Sequence, residues 1–598
     1  MRSLLLASAL SLVAFTAQAQ QRPHNVVLFV ADGLRPGMVN EKTAPTMTAL
    51  MKNGVRFANT HSIFPTFTTA NAAGMATGHM PGDSGDFSNT IYTGHPTPGA
   101  ADSVTPFLES DQVLGDVDKD FNGNYLNEET ILQGARAKGF STAAIGKLGP
   151  VLIMDHTDRG QNTIIVDDST GRAGGIPLSD EFKQALVAAG VPLQAPARGD
   201  NGKTGNNVEP GTTVANLDQQ NFFVDTATKG ALPILKARNK PFVLVFWSRD
   251  PDGSQHNQGD SLGRLIPGIN GPTSLASIKN ADDDLAKILD ALKAQGLDGE
   301  TDVILTSDHG FSTISKESAT SWSATQTIKG VNAHQLPPGF LAMDIAHALD
   351  MKLFDPDANA AVAADAFPVR ANGLIGEDAS KPQVVVAANG GSDLIYLPTG
   401  DKVLAAKIVQ MLSAQDYISG LFVDDKLGDF AGTLPLSAIS MQGKAATPTP
   451  AIAVNFKTFS TGCNDQTICG VEIADTTLQQ GQGMHGSFGR ADTQNIMGAM
   501  GPSFRKGFVD KAPSSNADIG KTIDRLLGLN IKDKGKLFGR VLTEAMPNGG
   551  MAKATPGVLR SKPDDNGNVT VVKYQKVGAT VYFDVAGYPG RTVGLPAE

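Results

Sequence analysis

Three continuous apolar runs, NVVLFVA (Asn25–Ala31), FVLVFW (Phe242–Trp247) and DVILT (Asp302–Thr306), constrain this chain more than any other feature. Each is too short to be a buried helix of ordinary length and carries no polar alternation, so each reads as a strand covered on both faces. Each is followed at once by acidic residues or histidine. In open α/β sheets ligands bind beyond the carboxyl ends of the strands, so three polar clusters in that position predict one shared site. Helical patterns fill the gaps. Thr43–Lys52 has Pro45 in its first turn and stops before Gly54, and Thr273–Gln295 repeats apolar residues on one face and stops before Gly296. The expectation is an α/β fold with a mostly parallel sheet flanked by helices.

Residues 81–126 and 311–450 are rich in Gly, Pro, Asp, Ser and Asn, with scattered strand and helix signals. They read as insertions at the active-site edge of one catalytic domain over residues 20–550. From 551 to 598, patterns such as VTVVKY and TVYFDVAG predict a small C-terminal β appendage.

The start, MRSLLLASALSLVAFTAQAQ, has Arg2, an apolar run and small residues around Gln18, which reads as a signal peptide over residues 1–19 and a periplasmic or secreted protein. No later stretch approaches the ~20 apolar residues of a membrane span, so no transmembrane anchor is expected. A net charge of −10 gives no nucleic-acid footprint. The two cysteines, Cys463 and Cys469, are expected to form a local disulfide; the alternative, a pair of metal thiolates, lacks a CxxC or a neighbouring histidine.

The polar clusters hold Asp32 (VADG), Asp252 and His256 (PDGSQH), Asp308 and His309 (SDHG), and a Gly-flanked His485 (MHGSFG). Any one alone is more simply a capping or loop residue satisfied by hydrogen bonds. Together, three Asp and three His supply two sites of the kind that zinc takes, with His nitrogen and Asp oxygen at ~2.0–2.2 Å. In SIFPTFTTANAAGMATG, Thr68 stands at or just before the start of a short helix, where backbone N–H groups favour a phosphate. Metal coordination is one way to activate a threonine hydroxyl, and Asn71 can donate its amide to a phosphoryl oxygen. The plainer reading of Thr68 is a helix N-cap.

These motifs, ADGLR, FPTFTTAN, MATGHMPG, PDGSQH, SDHG and MHGSFG, resemble the alkaline phosphatase superfamily, and most of all its type I phosphodiesterase / nucleotide pyrophosphatase branch. The resemblance implies an alkaline-phosphatase-like fold and two Zn2+, one held by Asp252, His256 and His485, the other by Asp32, Asp308 and His309. Other divalent ions can load such a site. Thr68 would contact the metals and attack phosphorus, Asn71 would steady the equatorial oxygens, and water would hydrolyse the phosphothreonine. The expected substrate is a small-molecule phosphodiester or pyrophosphate.

Two departures bear on substrate. Nucleotide pyrophosphatases resemble T-F-P-N at the nucleophile, with an aromatic residue that stacks on the base, where this chain has Thr69. After a strand expected over Ser141 to Ile145, Lys147 and Gly149 stand where monoesterase relatives carry K-x-R, so half of that pair is present. Lys147 is either a ligand for the extra charge of a monoester or a solvated loop lysine. An alkaline phosphomonoesterase on the same site is therefore the alternative, and a non-catalytic secreted metal or ligand binder is a third reading. No C-x-P-x-R occurs, which excludes a formylglycine sulfatase. DKDFNGNYLNEE, Asp118–Glu129, matches the EF-hand pattern for Ca2+ through Asp118, Asp120, Asn122, Gly123 and Glu129; the alternative is a polar turn into a helix capped by Asn127.

Overall fold

Strand β1 (Asn25–Ala31) is buried at every position, and its alternate residues enter different cores. Val26, Leu28 and Val30 join one cluster, and Val27, Phe29 and Ala31 the other. That is the period of two expected of a strand with both faces covered. The structure, a computed structural model, describes residues 24–597, so the expected signal peptide lies outside the described residues.

Around β1 lie β2 (Val55–His61), β3 (Ser141–Gly146), β4 (Ile164–Val166), β5 (Phe242–Ser248) and β6 (Thr301–Thr306). The sheet runs in the order Phe508–Ser515, β2, Met497–Met500, β6, β1, β5, β3, β4. Only Met497–Met500 runs against its neighbours. On one face pack α2 (Thr68–Thr77) and the helix Asn516–Leu527, through Ala72, Met75, Ile519 and Ile523. On the other lie α1 (Pro45–Asn53) and Pro272–Ala294, through Met47, Leu50, Ile278, Leu285 and Ile288. The α/β expectation holds, and the two helices expected from the sequence start at Pro45 and Pro272, which pre-set φ for a first turn.

The stretch read as insertion over 311–450 contains regular structure that its composition hides. It supplies most of a second eight-stranded sheet, running from Thr433–Pro435 at one edge to Ala360–Ala361 at the other, completed by Ile452–Phe456. One face of this sheet packs on its own helices, Phe340–Leu349 and Lys402–Ser413. The other face sends Leu374, Val385, Leu394 and Tyr396 into the core of the first sheet.

At the end of the chain, Thr555–Arg560, Val571–Val577 and Thr580–Gly587 form an antiparallel three-stranded sheet. It is the expected small β appendage, packed as a wedge. Asp584 receives His61 of β2 at 2.8 Å, and the Ala586 carbonyl accepts from Asn455 of the second sheet at 3.2 Å. Cys463 and Cys469 form a disulfide in the loop between Thr458–Ser460 and Gly470–Ile473. No helix among the described residues is long and apolar enough to cross a membrane.

Candidate active site

Five strands deliver one cluster. Asp32 follows β1, Lys147 follows β3, Asp252 lies just beyond β5, Asp308 and His309 lie beyond β6, and the turn after β2 leads into Thr68. A separate short sheet brings in His485, because Gly483–Met484 pairs antiparallel with Ser312–Ser315, three residues beyond His309. Asp492 reinforces the link: its carboxylate accepts from Ser312 Oγ at 2.7 Å and from the Ser487 N–H at 2.9 Å.

All three histidines are oriented in the same way. The Nδ1–H groups of His256, His309 and His485 donate to the carbonyls of Gly483, Gly310 and Thr66, each at 2.8 Å. A hydrogen bond at one ring nitrogen fixes the tautomer and turns the other, Nε2, inward as a lone-pair donor. Nε2 of His309 stands 3.2 Å from Asp308 Oδ2 and 3.6 Å from Asp32 Oδ1. Asp252 Oδ1 lies 3.0 Å from His256 Nε2 and 3.5 Å from His485 Nε2. Two sets of potential ligands converge within 4.8 Å: Asp32, Asp308 and His309; and Asp252, His309 and His485. His256 adjoins the second through Asp252, and His309 faces both.

The charge balance shows what these groups fit. Asp32, Asp252 and Asp308 are buried, and Asp32 Oδ1, Asp252 Oδ1 and Asp308 Oδ2 lack a hydrogen-bond donor. Burial, then the charges of Asp252 and Asp308, push the Asp32 carboxyl well above the usual carboxylate range. Burial holds His485 down to about 3 and therefore neutral, as a metal ligand must be. Buried carboxylates without donors beside inward-facing imidazoles fit divalent cations such as zinc.

Thr68 sits among these groups. It is the first residue of α2, its side chain makes no capping bond, and Oγ1 lies 3.3 Å from His309 Nε2. Lys147 is not a solvated loop residue: it is buried, and Nζ donates to Thr68 Oγ1 at 3.2 Å and contacts Asp32 and Asp252 at 3.0 Å each. Burial alone would lower its pKa, but Asp252, Asp32 and Glu109 outweigh burial and hold it well above the ordinary lysine value.

Three sequence expectations need correction. Asn71 cannot offer its amide to a phosphate: Oδ1 accepts from the Ile63 N–H and Asn516, and Nδ2 donates to the Ile63 and Phe67 carbonyls. With both hydrogens and both lone pairs engaged, it braces the turn before Thr68. Asn89, which sequence reasoning missed, lines the cleft; its Oδ1 accepts from the Thr69 N–H at 3.0 Å, leaving Nδ2 as a donor for a ligand. Its only signal was its place in a polar stretch, GDSGDFSNT. Nor does the EF-hand match form a Ca2+ cage. Asp118 and Asp120 lie on the helix Asp111–Asp120, Asp118 Oδ1 is taken by His156, and Asp120 and Asn122 point to solvent. The following helix is capped by Thr130 in a capping box with Gln133, not by Asn127. A further convergent group, His79, Asp83 and Glu128, is engaged with backbone N–H groups of Lys444, Lys534, Gly535 and Leu537.

Thr69 explains the missing aromatic residue in physical terms. It is buried, and its hydroxyl donates to Asp86 at 2.9 Å, so it offers no stacking surface to the cleft. That cleft, of about 500 Å³, is lined by Asn89, Lys147, Asp252, His256 and His485. A larger cavity of about 770 Å³, beside β3 and β4 near Ser141 and Ile164, contains none of the site residues.

The model of the type I phosphodiesterase / nucleotide pyrophosphatase family matches residues 26–381, more than half of the chain. That range holds all of these residues except His485. Among curated proteins no sequence matches the chain. One solved structure, murine ectonucleotide pyrophosphatase / phosphodiesterase 5, aligns with 88% of this chain and 100% of its own at 15% identity, with a TM-score of 0.48. On the family match, the chain belongs to the type I phosphodiesterase / nucleotide pyrophosphatase family.

Proposed function

We propose that this protein is an exported hydrolase of phosphate esters that holds two zinc ions and works through a phosphothreonine at Thr68. Family membership supports phosphate ester hydrolysis. The observation that carries the finer reading is the position of the Thr68 hydroxyl, 3.3 Å from the one histidine shared by both ligand sets. Asp32, Asp308 and His309 would hold one ion, and Asp252, His256 and His485 the other. Two bound ions supply charge that stabilises the attacking and leaving oxygens of an in-line displacement.

The chain's own groups do the rest. Lys147 Nζ donates to Thr68 Oγ1, which favours the oxygen in its nucleophilic, deprotonated form. Thr68 Oγ1 bonds to phosphorus as one ester oxygen departs with a proton, and water then breaks the threonine–phosphorus link, freeing inorganic phosphate from a monoester or a phosphomonoester from a diester. Asn89 Nδ2 steadies a phosphoryl oxygen. The disulfide supports export, because such bonds persist in oxidising compartments.

Diesters and pyrophosphates are the substrates the family name supports, and Lys147 favours a second reading, monoesters. An ammonium group 3.2 Å from the nucleophile meets the additional charge of a dianionic phosphoryl group, which a diester lacks. The test pairs p-nitrophenyl phosphate with bis-p-nitrophenyl phosphate on the zinc-loaded protein and its Thr68→Ala and Lys147→Ala variants. Thr68→Ala should lower kcat on either ester by at least ~10³-fold, as loss of a covalent nucleophile does. An unchanged rate would refute the phosphothreonine mechanism. Lys147→Ala should cost more on the monoester than on the diester, and the reverse would refute the monoester reading.

A further inference from the structure

The cleft is far larger than the phosphoryl group it would process, and its remaining wall carries three arginines along with Glu109 and Asp475. Arg198, Arg249 and Arg370 all line it. Arg249 follows β5, and Arg198 folds back over the same place. A Cβ built on Gly253 would stand 3.0 Å from Arg198 Nη2 and 3.1 Å from Arg249 Cγ, so both side chains press on the residue next to Asp252. The two guanidinium groups repel each other, and only one has a carboxylate partner: Arg249 Nη2 pairs with Asp168 at 2.7 Å. Arg249 Nε is buried with no acceptor. Arg198 bonds to Asn201 and to the Gly253 carbonyl, which are neutral. Arg370 lies 5.7 Å from the Phe107 ring centroid. Among the described residues, neither Arg198 nor Arg370 has a carboxylate within ion-pair distance.

We propose that Arg198, Arg249 and Arg370 form an anion subsite beside the reaction centre, which takes a second anionic group carried on the alcohol portion of the substrate. Guanidinium groups bind carboxylate and phosphate oxygens through the same planar donor fork, so the shared ligand chemistry is an oxyanion. A ligand anion would relieve the repulsion between Arg198 and Arg249. The substrate class is thus a small phosphate ester that bears a further carboxylate or phosphate. With Thr69 turned away toward Asp86, selectivity would come from charge in place of base stacking. This inference rests on the proposed phosphate ester hydrolysis for its orientation, but its test does not require turnover.

The experiment measures binding to the zinc-loaded protein by calorimetry. Benzylphosphonate carries one anionic group, 4-(phosphonomethyl)benzoate adds a carboxylate, and p-xylylene bisphosphonate adds a phosphonate. Either second anion should tighten binding about ten-fold, the scale of one charge-assisted hydrogen bond. Whichever gains more identifies the preferred group. Arg370→Gln, at an exposed position, and Arg198→Gln should each remove most of that gain. Equal affinities for all three ligands, or a gain that survives both substitutions, would overturn the subsite. Failure of the proposed hydrolysis would look different: tight, arginine-dependent binding of the dianionic ligands with no turnover of any ester.

Discussion

Replacing Gly486 with alanine should damage the site more than its one added carbon suggests. Gly486 has φ +115°, a backbone conformation that an L side chain rarely adopts, and an added Cβ would stand 2.0 Å from the Phe67 ring. The φ strain costs ~1–3 kcal/mol. Overpacking against a ring with no free volume costs a further ~1–3 kcal/mol. Together they give ~2–6 kcal/mol, a large part of the stability of most proteins. The direction of the push matters as much as its size, because Gly486 follows His485 and Phe67 precedes Thr68. Relief of the clash must move His485 or Thr68, the proposed ligand and the proposed nucleophile. Chemical denaturation, zinc content and kcat on p-nitrophenyl phosphate would be compared for Gly486→Ala, Phe67→Leu and the double variant. The leucine removes the ring atom nearest the new methyl, so the double variant should recover ~1–3 kcal/mol relative to the sum of the singles. It should also regain part of the lost zinc. If the costs are additive within ~0.5 kcal/mol, or if Gly486→Ala keeps full zinc and full kcat, the contact does not hold the site as described.

Three other outcomes are open to measurement. Chelation should lower the melting temperature and abolish ester hydrolysis, and added zinc should restore both, because cations that bind only the folded cluster stabilise it by mass action; a melting temperature indifferent to chelator would count against the metal site. Burial lifts the Asp86 carboxyl to about 7, against hydrogen bonds from Tyr125 and Thr69 that lower it. A raised folded pKa gives stability that is full below the unfolded value and is lost as pH rises through 7, so the melting temperature of Asp86→Asn should gain on the wild type between pH 4 and 7. The gain is on the order of 4 kcal/mol for a shift of this size, and a pH-independent difference would disprove it. Reducing Cys463–Cys469 should cost only about 2 kcal/mol, because the loop it closes is short; loss of the fold on reduction would show a larger role.

The site was readable in the sequence where chemistry followed directly on a buried strand. Asp32, Asp308 and His309 stand within three residues of apolar runs, and Asp252 within five, so the sheet itself predicts their convergence. Lys147 carried the same signal after β3. Asn71 was misread because sequence cannot say which way an amide points, and here it points back into the turn that it braces. Asn89 was missed because it reaches the site by tertiary folding, with no strand end or motif beside it. The EF-hand pattern matched residue types while the helix through Asp120 denied them the loop geometry. The second sheet escaped notice because its strands are three to six residues long, apart from the two-residue edge, and are separated by Gly- and Pro-rich turns.

The wedge near the carboxyl end has a consequence for the order in which the molecule can be completed. Asp584 anchors His61 on the strand that leads to Thr68, and the Ala586 N–H donates to the Phe488 carbonyl, three residues past His485. A growing chain that has not yet produced residues 580–587 can form the first sheet with Asp32, Asp252, Asp308 and His309 at its strand ends, but it lacks the ties that fix the approach to Thr68 and His485. Contacts this distant in sequence form late because a long loop must close first. The proposed centre is therefore completed by residues made well after its own ligands, and a truncation before residue 580 that spares every site residue should still leave it unfinished.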